Sequence, residues 1–345
     1  MPFEIIRSDI TALPFRVDAI VNTANPHPII GSGTDTAVHE AAGPELLRAR
    51  EVIGEIERGS AAITPAFDLR AKYVIHTVGP AWQGGEHGEE DTLRKAYDSA
   101  LSLAAENNCG SVAFPLMSSG NYGFPRDRAL SIAIAAFSDF LLRQEMQIYL
   151  VVFSREAFVL STHLMQSVES YIDEHYIAEK IAHEYRYDRG GNRRRFEEIA
   201  SVKESRIDAD YALSMPFGMA APSIEDRLAQ KSETFTQALR RIMIERDLSN
   251  PDVYKRANMD KKTFNKIYND LNHQPSKRSA LQIAIALEMD LDDTKDFIAR
   301  AGYALSPSSR FDVVLSCLIE QGVTNMLEVD AVLFEFTETT LSSCG

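Results

Sequence analysis

Short apolar runs alternate with amphipathic stretches in the first half of this 345-residue chain, and this alternation limits its fold most. The runs predict buried strands at Ile5–Ile6, Ala19–Val21, Tyr73–Val78, Val112–Leu116 and Ile148–Phe153. Between and after them, helices are predicted at 35–50, 91–107, 127–144 and 165–182, where apolar residues recur every three or four positions. Strands that alternate with helices and are apolar at consecutive positions are typical of a sheet covered on both faces. We therefore expect an α/β sandwich.

The pattern changes after residue 182. The segment from Tyr185 to Arg195 reads YRYDRGGNRRR, which is polar and contains two glycines. This predicts a linker over 183–222. Residues 223–345 are predicted to be helical, with one strand-like run at Ala331–Phe336. The length favours two folded units, so we expect domains at 1–182 and 223–345.

Composition narrows the class of protein further. The chain contains no run near the roughly 18 apolar residues of a membrane span, and the N-terminus lacks the pattern of a signal peptide. Cys109, Cys317 and Cys344 are widely spaced, which argues against a disulfide framework or a thiolate zinc site. We expect a cytoplasmic protein without a membrane partner. The residues His27, His39, His76 and His87 lack the spacing of metal ligands, so no metal site is predicted.

One candidate binding segment leaves the second predicted strand. Val21-Asn22-Thr23-Ala24-Asn25 runs into the loop Pro26 to Gly33, and a helix begins near Asp35. Small residues before a helix N-terminus allow close backbone approach and offer free N–H groups to a phosphate. The alternative is a tight turn at Gly31-Ser32-Gly33, with Thr34 or Asp35 as an ordinary N-cap.

Two further segments occupy equivalent places after other strands. Phe114 to Pro125 reads FPLMSSGNYGFP, and its small residues could form a nest of backbone N–H groups for a pyrophosphate. Ser8-Asp9-Ile10-Thr11 follows the first strand. Taken alone, either segment could be a plain connection or a helix cap.

The joint order of these motifs resembles the macrodomain family over about the first 165 residues. The pattern comprises Asp-Ile-Thr, Val-Asn-x-Ala-Asn, Gly-x-Gly-x-Asp-x-Ala-Val-His and Phe-Pro-x-x-Ser-Ser-Gly-x-Tyr-Gly-Phe-Pro. A Rossmann interpretation is poorer because the third glycine of its fingerprint is absent. The resemblance implies a three-layer α/β/α domain with a mixed central sheet, and it implies binding of ADP-ribose or an ADP-ribosylated substrate.

The resemblance also implies roles for matching residues. Asp9 and Ile10 would recognise adenine, and Phe153 would stack on it. The pyrophosphate and distal ribose would be held by Asn22, Gly31, Ser32, Gly33, Thr34, Ser118, Ser119, Gly120, Asn121 and Tyr122. Asn25 would hold the distal ribose, and Asp35 falls where MacroD-type hydrolases keep their catalytic carboxylate. No cofactor is implied.

Enzyme and reader remain alternatives at this point. Asn25 and Asp35 favour hydrolysis of mono-ADP-ribosyl or O-acyl-ADP-ribose esters, because a carboxylate beside the ribose can activate a water molecule. Ile30 and Ser32 interrupt the glycine-rich run of that pattern, and Thr36 replaces a glycine. These departures would suit a non-catalytic sensor of ADP-ribose or a related nucleotide that acts through the helical domain.

Residues 234–305 resemble the helix-turn-helix domain of Cro/repressor-like proteins. The predicted helices lie at Phe235–Arg246, Asp252–Ala257, Lys261–Leu271, Ala280–Glu288 and Asp292–Ala301. The resemblance implies that Lys261, Lys262, Asn265 and Lys266 face a DNA duplex, with Lys255, Arg256, Lys277 and Arg278 near phosphates.

Charge leaves the partner of this helical region open. The whole chain carries a net charge of −14, whereas residues 240–278 contain 10 Lys and Arg against 5 Asp and Glu. Only this segment has the sign expected of a phosphate-contacting surface. The alternative is a protein-interaction module, and the amphipathic tail from Phe311 to Gly345 could serve a partner or a homodimer.

Overall fold

The computed structural model describes residues 2–153, 162–175, 233–271 and 273–342. The predicted linker, the end of the 165–182 helix, the first residues of the helical region and the last three residues lie outside this description. Six strands form the central sheet. They are β1 (Phe3–Arg7), β2 (Ala19–Thr23), β3 (Ala61–Pro65), β4 (Tyr73–Thr77), β5 (Ser111–Pro115) and β6 (Gln147–Val152).

The sheet is mixed, with strand order β1-β6-β5-β2-β4-β3. All neighbouring pairs are parallel except β3 with β4, which are antiparallel. Side chains alternate between the two faces of β2, so Val21 joins the larger apolar core and Ile20 joins a second one. This arrangement confirms the predicted α/β/α fold with a mixed central sheet. The sequence analysis did not predict β3.

Five described helices accompany the sheet: α1 (Thr34–Ala42), α2 (Pro44–Ile53), α3 (Glu89–Glu106), α4 (Arg126–Arg143) and α5 (Thr162–His175). The single helix predicted at 35–50 is wrong, because Gly43 and Pro44 divide it. Gly43 has φ 82°, which ends α1, and Pro44 occupies the first turn of α2. The division matters because α1 and α2 each carry a residue of the site described below.

The helical domain contains α6 (Phe235–Glu245), α7 (Asn250–Arg256), α8 (Lys261–Asn269), α9 (Lys277–Ala286), α10 (Leu291–Ala299), α11 (Arg310–Glu320) and α12 (Met326–Thr337). Side-chain caps mark several starts: Thr234 and Ser249 form capping boxes, and the Asp260 carboxylate accepts from the N–H groups of Lys262 and Thr263. The confirmed all-helical class contradicts the strand considered at Ala331–Phe336, which lies within α12.

The helical domain packs directly on the macrodomain, and the apolar cores of the two are continuous. Helix α12 lies on β1 and α4, whereas α11 lies on α5. Val313, Leu318, Val332 and Leu333 are among the tail residues that this packing buries. The tail, for which a partner or a homodimer was considered, therefore contacts the α/β domain of its own chain.

A polar contact also joins the two domains at β1. Asn258, in the turn between α7 and α8, is fully buried. Its Oδ1 accepts the N–H of Phe3 at 3.0 Å, and its Nδ2 donates to the Phe3 carbonyl at 3.1 Å. The side-chain amide thereby pairs with β1 as a neighbouring strand would.

Candidate functional site

A cleft of about 250 Å³ opens at the carboxyl ends of β2 and β5. One wall is the loop that enters α1, and the other is the loop that leaves β5. Its lining includes many of the predicted ligand residues: Asn25, Gly31, Ser32, Gly33, Thr34, Asp35, Ser118, Gly120, Asn121 and Tyr122. Thr23 and Leu116 complete the lining. Parallel strands bring these two sequence-distant loops to the same sheet edge.

Asp35 lies in the first turn of α1 and is only 2% exposed, yet it reaches the cleft wall. Its Oδ1 accepts a 2.6 Å hydrogen bond from Nδ2 of Asn22, and its Oδ2 accepts one of 2.6 Å from the Gly31 N–H. A Cβ atom at position 31 would lie 3.0 Å from Asp35 Oδ2. Glycine at 31 therefore lets the loop backbone approach the carboxylate and hold it in one orientation.

Asn22 lies behind Asp35 and is fully buried, outside the lining of the cleft where a ligand contact was expected. Its Nδ2 also lies 3.3 Å from Nδ1 of His76, whose Nε2 is 3.0 Å from the Thr64 hydroxyl. Burial, with Arg50 and His39 adding to its effect, lowers the pKa of His76 to about 3. A neutral His76 thus contacts the side-chain amide of Asn22, which in turn donates a hydrogen bond to Asp35.

His39 stands one helical turn beyond Asp35, with its Nε2 3.6 Å from Asp35 Oδ1. Burial lowers the pKa of His39; the charge of Asp35 opposes this shift and that of Arg50 adds to it. The imidazole is therefore a neutral neighbour of the carboxylate at physiological pH, and the contact is not an ion pair.

Arg50 on α2 is a site residue that the sequence analysis missed. It is 2% exposed, and its guanidinium donates to the carbonyl oxygens of Asn25 at 3.1 Å, Pro26 at 3.0 Å and Gly54. These bonds hold the backbone on which Asn25 enters the cleft. In the sequence, one feature could have indicated that Arg50 is buried. It lies four residues after Leu46 and thus on the same face of α2, which is expected to be apolar.

The loop after β5 is held from outside the cleft. Ser118 has φ 60° and is 7% exposed, and its carbonyl accepts the N–H of Phe124 at 3.0 Å. The Ser119 hydroxyl donates to the Leu116 carbonyl and is absent from the cleft lining. The Arg58 guanidinium lies 5.6 Å from the centre of the Tyr122 ring. These contacts hold the loop backbone in place, and fixed backbone N–H groups of this kind can bind an anion.

A side-chain hydrogen bond crosses the cleft. Nδ2 of Asn121 donates to the hydroxyl of Ser32 over 2.6 Å. Thr36, the other polar departure from the glycine-rich pattern, donates its hydroxyl to the Gly31 carbonyl at 2.8 Å. Both departures from the glycine-rich pattern therefore form hydrogen bonds in the loop around Asp35.

The residues expected to recognise adenine lie outside the cleft lining. The Asp9 carboxylate accepts from the backbone N–H and the hydroxyl of Thr11, each at 2.8 Å, and Asp9 remains exposed. Ile10 is buried, whereas Phe153 is 78% exposed at the end of β6. Because β1 and β6 are adjacent, these residues share one sheet edge with the cleft. An exposed ring there is available for stacking.

The residues of the helical domain that were predicted to contact DNA fall into two groups. Lys261, Lys262 and Lys266 are exposed on α8, and Asn265 is half-buried. The residues expected near phosphates instead have partners within the chain: Lys255 donates to Leu142, Arg256 pairs with Glu288, Lys277 pairs with Asp312 and Arg278 lies over Phe311. Among the lysines predicted to contact DNA or lie near its phosphates, the exposed ones are therefore those of α8.

Two other features bear on the class of protein. Within residues 2–153, 162–175, 233–271 and 273–342, no cluster of three or more His, Cys, Asp or Glu side chains could hold a metal ion. No helix in that part of the chain combines the length and hydropathy needed to cross a membrane.

Comparison with known proteins agrees with this geometry. Residues 21–133 match the Macro domain model, and residues 238–299 match that of the Cro/C1-type HTH DNA-binding domain. With the sheet order and the cleft, the bacterial relatives below show that the chain belongs to the macrodomain family.

These relatives are named O-acetyl-ADP-ribose deacetylase. The protein from Salmonella gallinarum is 48% identical over 168 residues, which cover 47% of this chain and 93% of the relative. The Escherichia coli protein is 47% identical over 158 residues, covering 44% and 88%. An Oceanobacillus iheyensis macrodomain structure with ADP is 36% identical, covers 45% of this chain and 85% of its own, and has a TM-score of 0.43.

Proposed function

We propose that this chain hydrolyses O-acyl-ADP-ribose, with mono-ADP-ribosyl esters as the related substrate class. The observation that carries the proposal is the oriented Asp35 carboxylate in the wall of a diphosphate-sized cleft, beside Asn25. The bacterial relatives named O-acetyl-ADP-ribose deacetylase support the same activity.

In the proposed reaction, Asp35 accepts a proton from a water molecule as the water oxygen attacks the acyl carbonyl carbon. The bond between that carbon and the ribose oxygen then breaks, the ribose oxygen takes up the proton that Asp35 had accepted, and a carboxylic acid and ADP-ribose leave. A positioned general base contributes typically 10²–10⁴-fold to such a step. Asn25, whose backbone Arg50 holds, orients the ribose hydroxyls.

Binding is assigned to the two loops of the cleft. Backbone N–H groups near Gly33 and Gly120 would face the diphosphate, and the N-terminus of α1 adds a favourable dipole. Adenine would lie over the neighbouring strands, between the Asp9 carboxylate and the exposed ring of Phe153. In this arrangement the nucleotide is anchored at a distance from the ester, so binding and chemistry can be separated by mutation.

The test is to incubate the purified full chain with O-acetyl-ADP-ribose and, separately, with a peptide carrying ADP-ribosyl-glutamate. Chromatography should show time-dependent release of ADP-ribose from O-acetyl-ADP-ribose at least. Calorimetry with ADP-ribose is run in parallel. Tight binding without turnover of either substrate would reject the enzyme and favour the nucleotide sensor.

A second candidate function is binding of duplex DNA through the helical domain. The match of residues 238–299 to a DNA-binding domain model favours it, as do the exposed lysines of α8. Neutralising phosphates releases counterions, so affinity for a duplex should fall steeply with salt. Fluorescence anisotropy with labelled duplexes at several salt concentrations tests this candidate separately from the hydrolase.

We also assign the protein to the cytoplasm. Cys109 and Cys317 are buried free thiols, as is usual in a reducing compartment.

A further inference from the structure

A loop beside the cleft is held by a single buried carboxylate. Residues 78–88, here called the β4–α3 loop, join β4 to α3. Glu89 is the first residue of α3 and is only 4% exposed. Its Oε1 accepts the backbone N–H groups of Gln83 at 3.0 Å and Gly85 at 3.1 Å. Its Oε2 accepts the backbone N–H of His87 at 2.7 Å, so one side chain holds three residues of the loop.

The carboxylate of Glu89 is charged as well as buried. Burial alone would raise its pKa, but the backbone N–H donors lower the pKa to about 2, so the group is ionised at physiological pH. A hydrogen bond to an ionised acceptor is roughly twice as strong as one between neutral groups. Glu89 does not line the ligand cleft. Any effect of Glu89 on a ligand in the cleft must therefore pass through the β4–α3 loop.

The β4–α3 loop contacts the wall of the cleft at Tyr122. The backbone N–H of Trp82 donates to the Tyr122 carbonyl at 2.8 Å, and Tyr122 lines the cleft. The ring of Trp82 also lies edge-on to that of Phe124, with 4.7 Å between the ring centres. Arg58 provides a second link, because its guanidinium donates to the Gly79 carbonyl at 2.8 Å and lies 5.6 Å from the centre of the Tyr122 ring. The loop thus holds both the backbone and the ring of one cleft residue.

Tyr122 belongs to a tight turn over residues 120–123. The N–H of Gly123 donates to the Gly120 carbonyl at 2.9 Å and closes this turn. In the proposed binding mode, backbone N–H groups of the turn face the diphosphate. The bond from Trp82 fixes the peptide group between Tyr122 and Gly123, and with it the orientation of the turn.

Trp82 is confined by the same loop. Gly85 has φ 90°, and a Cβ atom at that position would lie 2.7 Å from the Trp82 ring. The Arg128 guanidinium lies 5.5 Å from the centre of the ring. Since Gly85 also donates to Glu89, releasing the loop from Glu89 would shift both the ring of Trp82 and the N–H that the cleft wall accepts.

We propose that Glu89 is a positioning residue of the cleft: through the β4–α3 loop it holds the turn at 120–123 in the conformation that binds the diphosphate. This role rests on the proposed binding of ADP-ribose in the cleft and concerns how that site is held. Asp35 is oriented from a different loop, by Asn22 and Gly31. Glu89 therefore governs affinity for the nucleotide, whereas the catalytic carboxylate keeps its orientation without it.

The first test compares Glu89→Ala and Glu89→Gln with Asp91→Ala in the full chain. Asp91 is an exposed carboxylate in the same first turn of α3, so it is the matched control for the lost charge. Calorimetry with ADP-ribose should show a Kd raised about tenfold or more by Glu89→Ala and by less than about twofold by Asp91→Ala. Glu89→Gln should lie between them, because its remaining oxygen still accepts some of the bonds.

A Kd of Glu89→Ala equal to that of the parent overturns the inference. If Glu89→Ala does not fold, Glu89→Gln decides, since it keeps the volume of the side chain and must bind ADP-ribose more weakly than Asp91→Ala does. Absence of ADP-ribose binding by the parent would reject this role together with the proposed function. Binding without turnover would reject the hydrolase alone, and the Kd series would still decide the role of Glu89.

Turnover separates positioning from chemistry. With O-acetyl-ADP-ribose as substrate, Glu89→Gln should raise KM and leave kcat within about threefold of the parent value, which is the pattern of lost binding. A fall in kcat at unchanged KM would contradict a role through the diphosphate turn.

Trp82 is the only tryptophan of the chain, so its fluorescence reports on the β4–α3 loop. Acrylamide should quench it more strongly in Glu89→Gln than in the parent, and saturating ADP-ribose should bring the quenching constant back toward the parent value. The loop and the ligand stabilise the same conformation of the turn, and such coupling is reciprocal. Increased quenching that does not respond to ADP-ribose would mean that Glu89 only stabilises the fold, and it would overturn the proposal.

Discussion

Asn121 and Ser32 join the two loops of the cleft through a 2.6 Å hydrogen bond between the amide Nδ2 and the hydroxyl. Ser32 stands in a run that the resemblance leads one to expect as glycine, so the bond depends on a departure from the pattern. In the proposed binding mode, the diphosphate of the ligand passes between these loops. The bond therefore opposes entry and exit alike.

Replacing Ser32 by alanine should speed both steps. Without the hydroxyl, the loops separate at no hydrogen-bond cost, which is on the order of 0.5–1.5 kcal/mol. We expect association and dissociation rates of ADP-ribose to rise about two- to tenfold, with a smaller change in Kd, as measured by stopped-flow fluorescence or surface plasmon resonance. Ser119→Ala, two positions before Asn121 in the same loop, is the control; equal effects in both variants would assign the change to general loosening.

Removing the Asp35 carboxylate should separate chemistry from binding. Asp35→Ala should lower kcat for O-acetyl-ADP-ribose by about 10²–10⁴-fold, because the water loses its base. Since Asp35 is not assigned to the nucleotide, the Kd for ADP-ribose should change by less than about tenfold. Kinetic assays with O-acetyl-ADP-ribose measure the catalytic rate constant, and calorimetry measures the Kd for ADP-ribose. Parallel loss of both would show that Asp35 only holds the loop at Gly31 and has no chemical role.

A glutamate at position 120 should block the diphosphate. A Cβ atom built at Gly120 meets nothing within 4 Å, so the fold accommodates a side chain there. The carboxylate of Gly120→Glu would repel the diphosphate in a desolvated site, at a cost of several kcal/mol. Gly120→Gln has nearly the same volume without the charge, so it should bind ADP-ribose more tightly than Gly120→Glu. Wild-type affinity in Gly120→Glu would place the diphosphate elsewhere.

Adenine recognition should depend on Asp9 and Phe153. Phe153→Ala should weaken ADP-ribose binding by on the order of 1–3 kcal/mol through lost stacking. Asp9→Ala should weaken adenine nucleotides, and Asp9→Asn should restore only part of the affinity, since an amide is a weaker acceptor than a carboxylate. Ribose 5-phosphate, which lacks the base, is the comparison ligand: its binding should be indifferent to all three changes. Unaltered ADP-ribose affinity in these variants would mean that adenine binds elsewhere.

Asp330 should make stability depend on pH. It is buried in α12, and burial raises its pKa to about 6, although bonds from Ser342, Leu341 and Asn258 oppose the shift. The native state thus retains this proton after the unfolded chain, with a carboxyl pKa near 3.8, has lost it. From about pH 4 to 6 the contribution of Asp330 to the unfolding free energy falls, by on the order of 1–3 kcal/mol.

Asp330→Asn removes that titration, so the difference in unfolding free energy between variant and parent should grow in favour of the variant as the pH rises from 4 to 7. Urea denaturation at a series of pH values measures it. Asp292→Asn, at an exposed position of α10, is the matched control and should show a flat difference. A pH-independent difference for Asp330→Asn would mean that Asp330 is ionised in the native protein.

Features that depend on neighbouring residues in the chain could be predicted from the sequence, whereas features that depend on contacts between distant residues could not. Strand runs and the glycine-containing loops depend on local pattern, so β1, β2, β4, β5 and β6 were predicted, as were most residues of the cleft. The short β3 was missed because Ala61–Pro65 lacks a strong apolar run. The strand considered within α12 arose because a helix buried on most sides is also apolar at consecutive positions.

The misses within the site share a different cause. Arg50 can be buried because the carbonyl oxygens of Asn25, Pro26 and Gly54 accept its hydrogen bonds, and no local pattern reveals that the first two lie near it. Asn22 was identified from the motif as a ligand contact, yet its strand register turns it toward Asp35 and His76. Lys255 and Lys277 looked like free cations until tertiary packing gave them partners.

The pairing of Asn258 with Phe3 has a consequence for anyone who would divide this chain. A sheet whose outermost strand offers bare peptide groups is a template on which other chains can add strands, and proteins blunt such edges to stay apart. Here the residue that covers the edge of β1 is Asn258, which lies 255 positions after Phe3 in the chain. A fragment that ends after the macrodomain would leave the peptide groups of β1 exposed to solvent, so we expect it to self-associate. The helices at the carboxyl end thus also serve as built-in protection against aggregation.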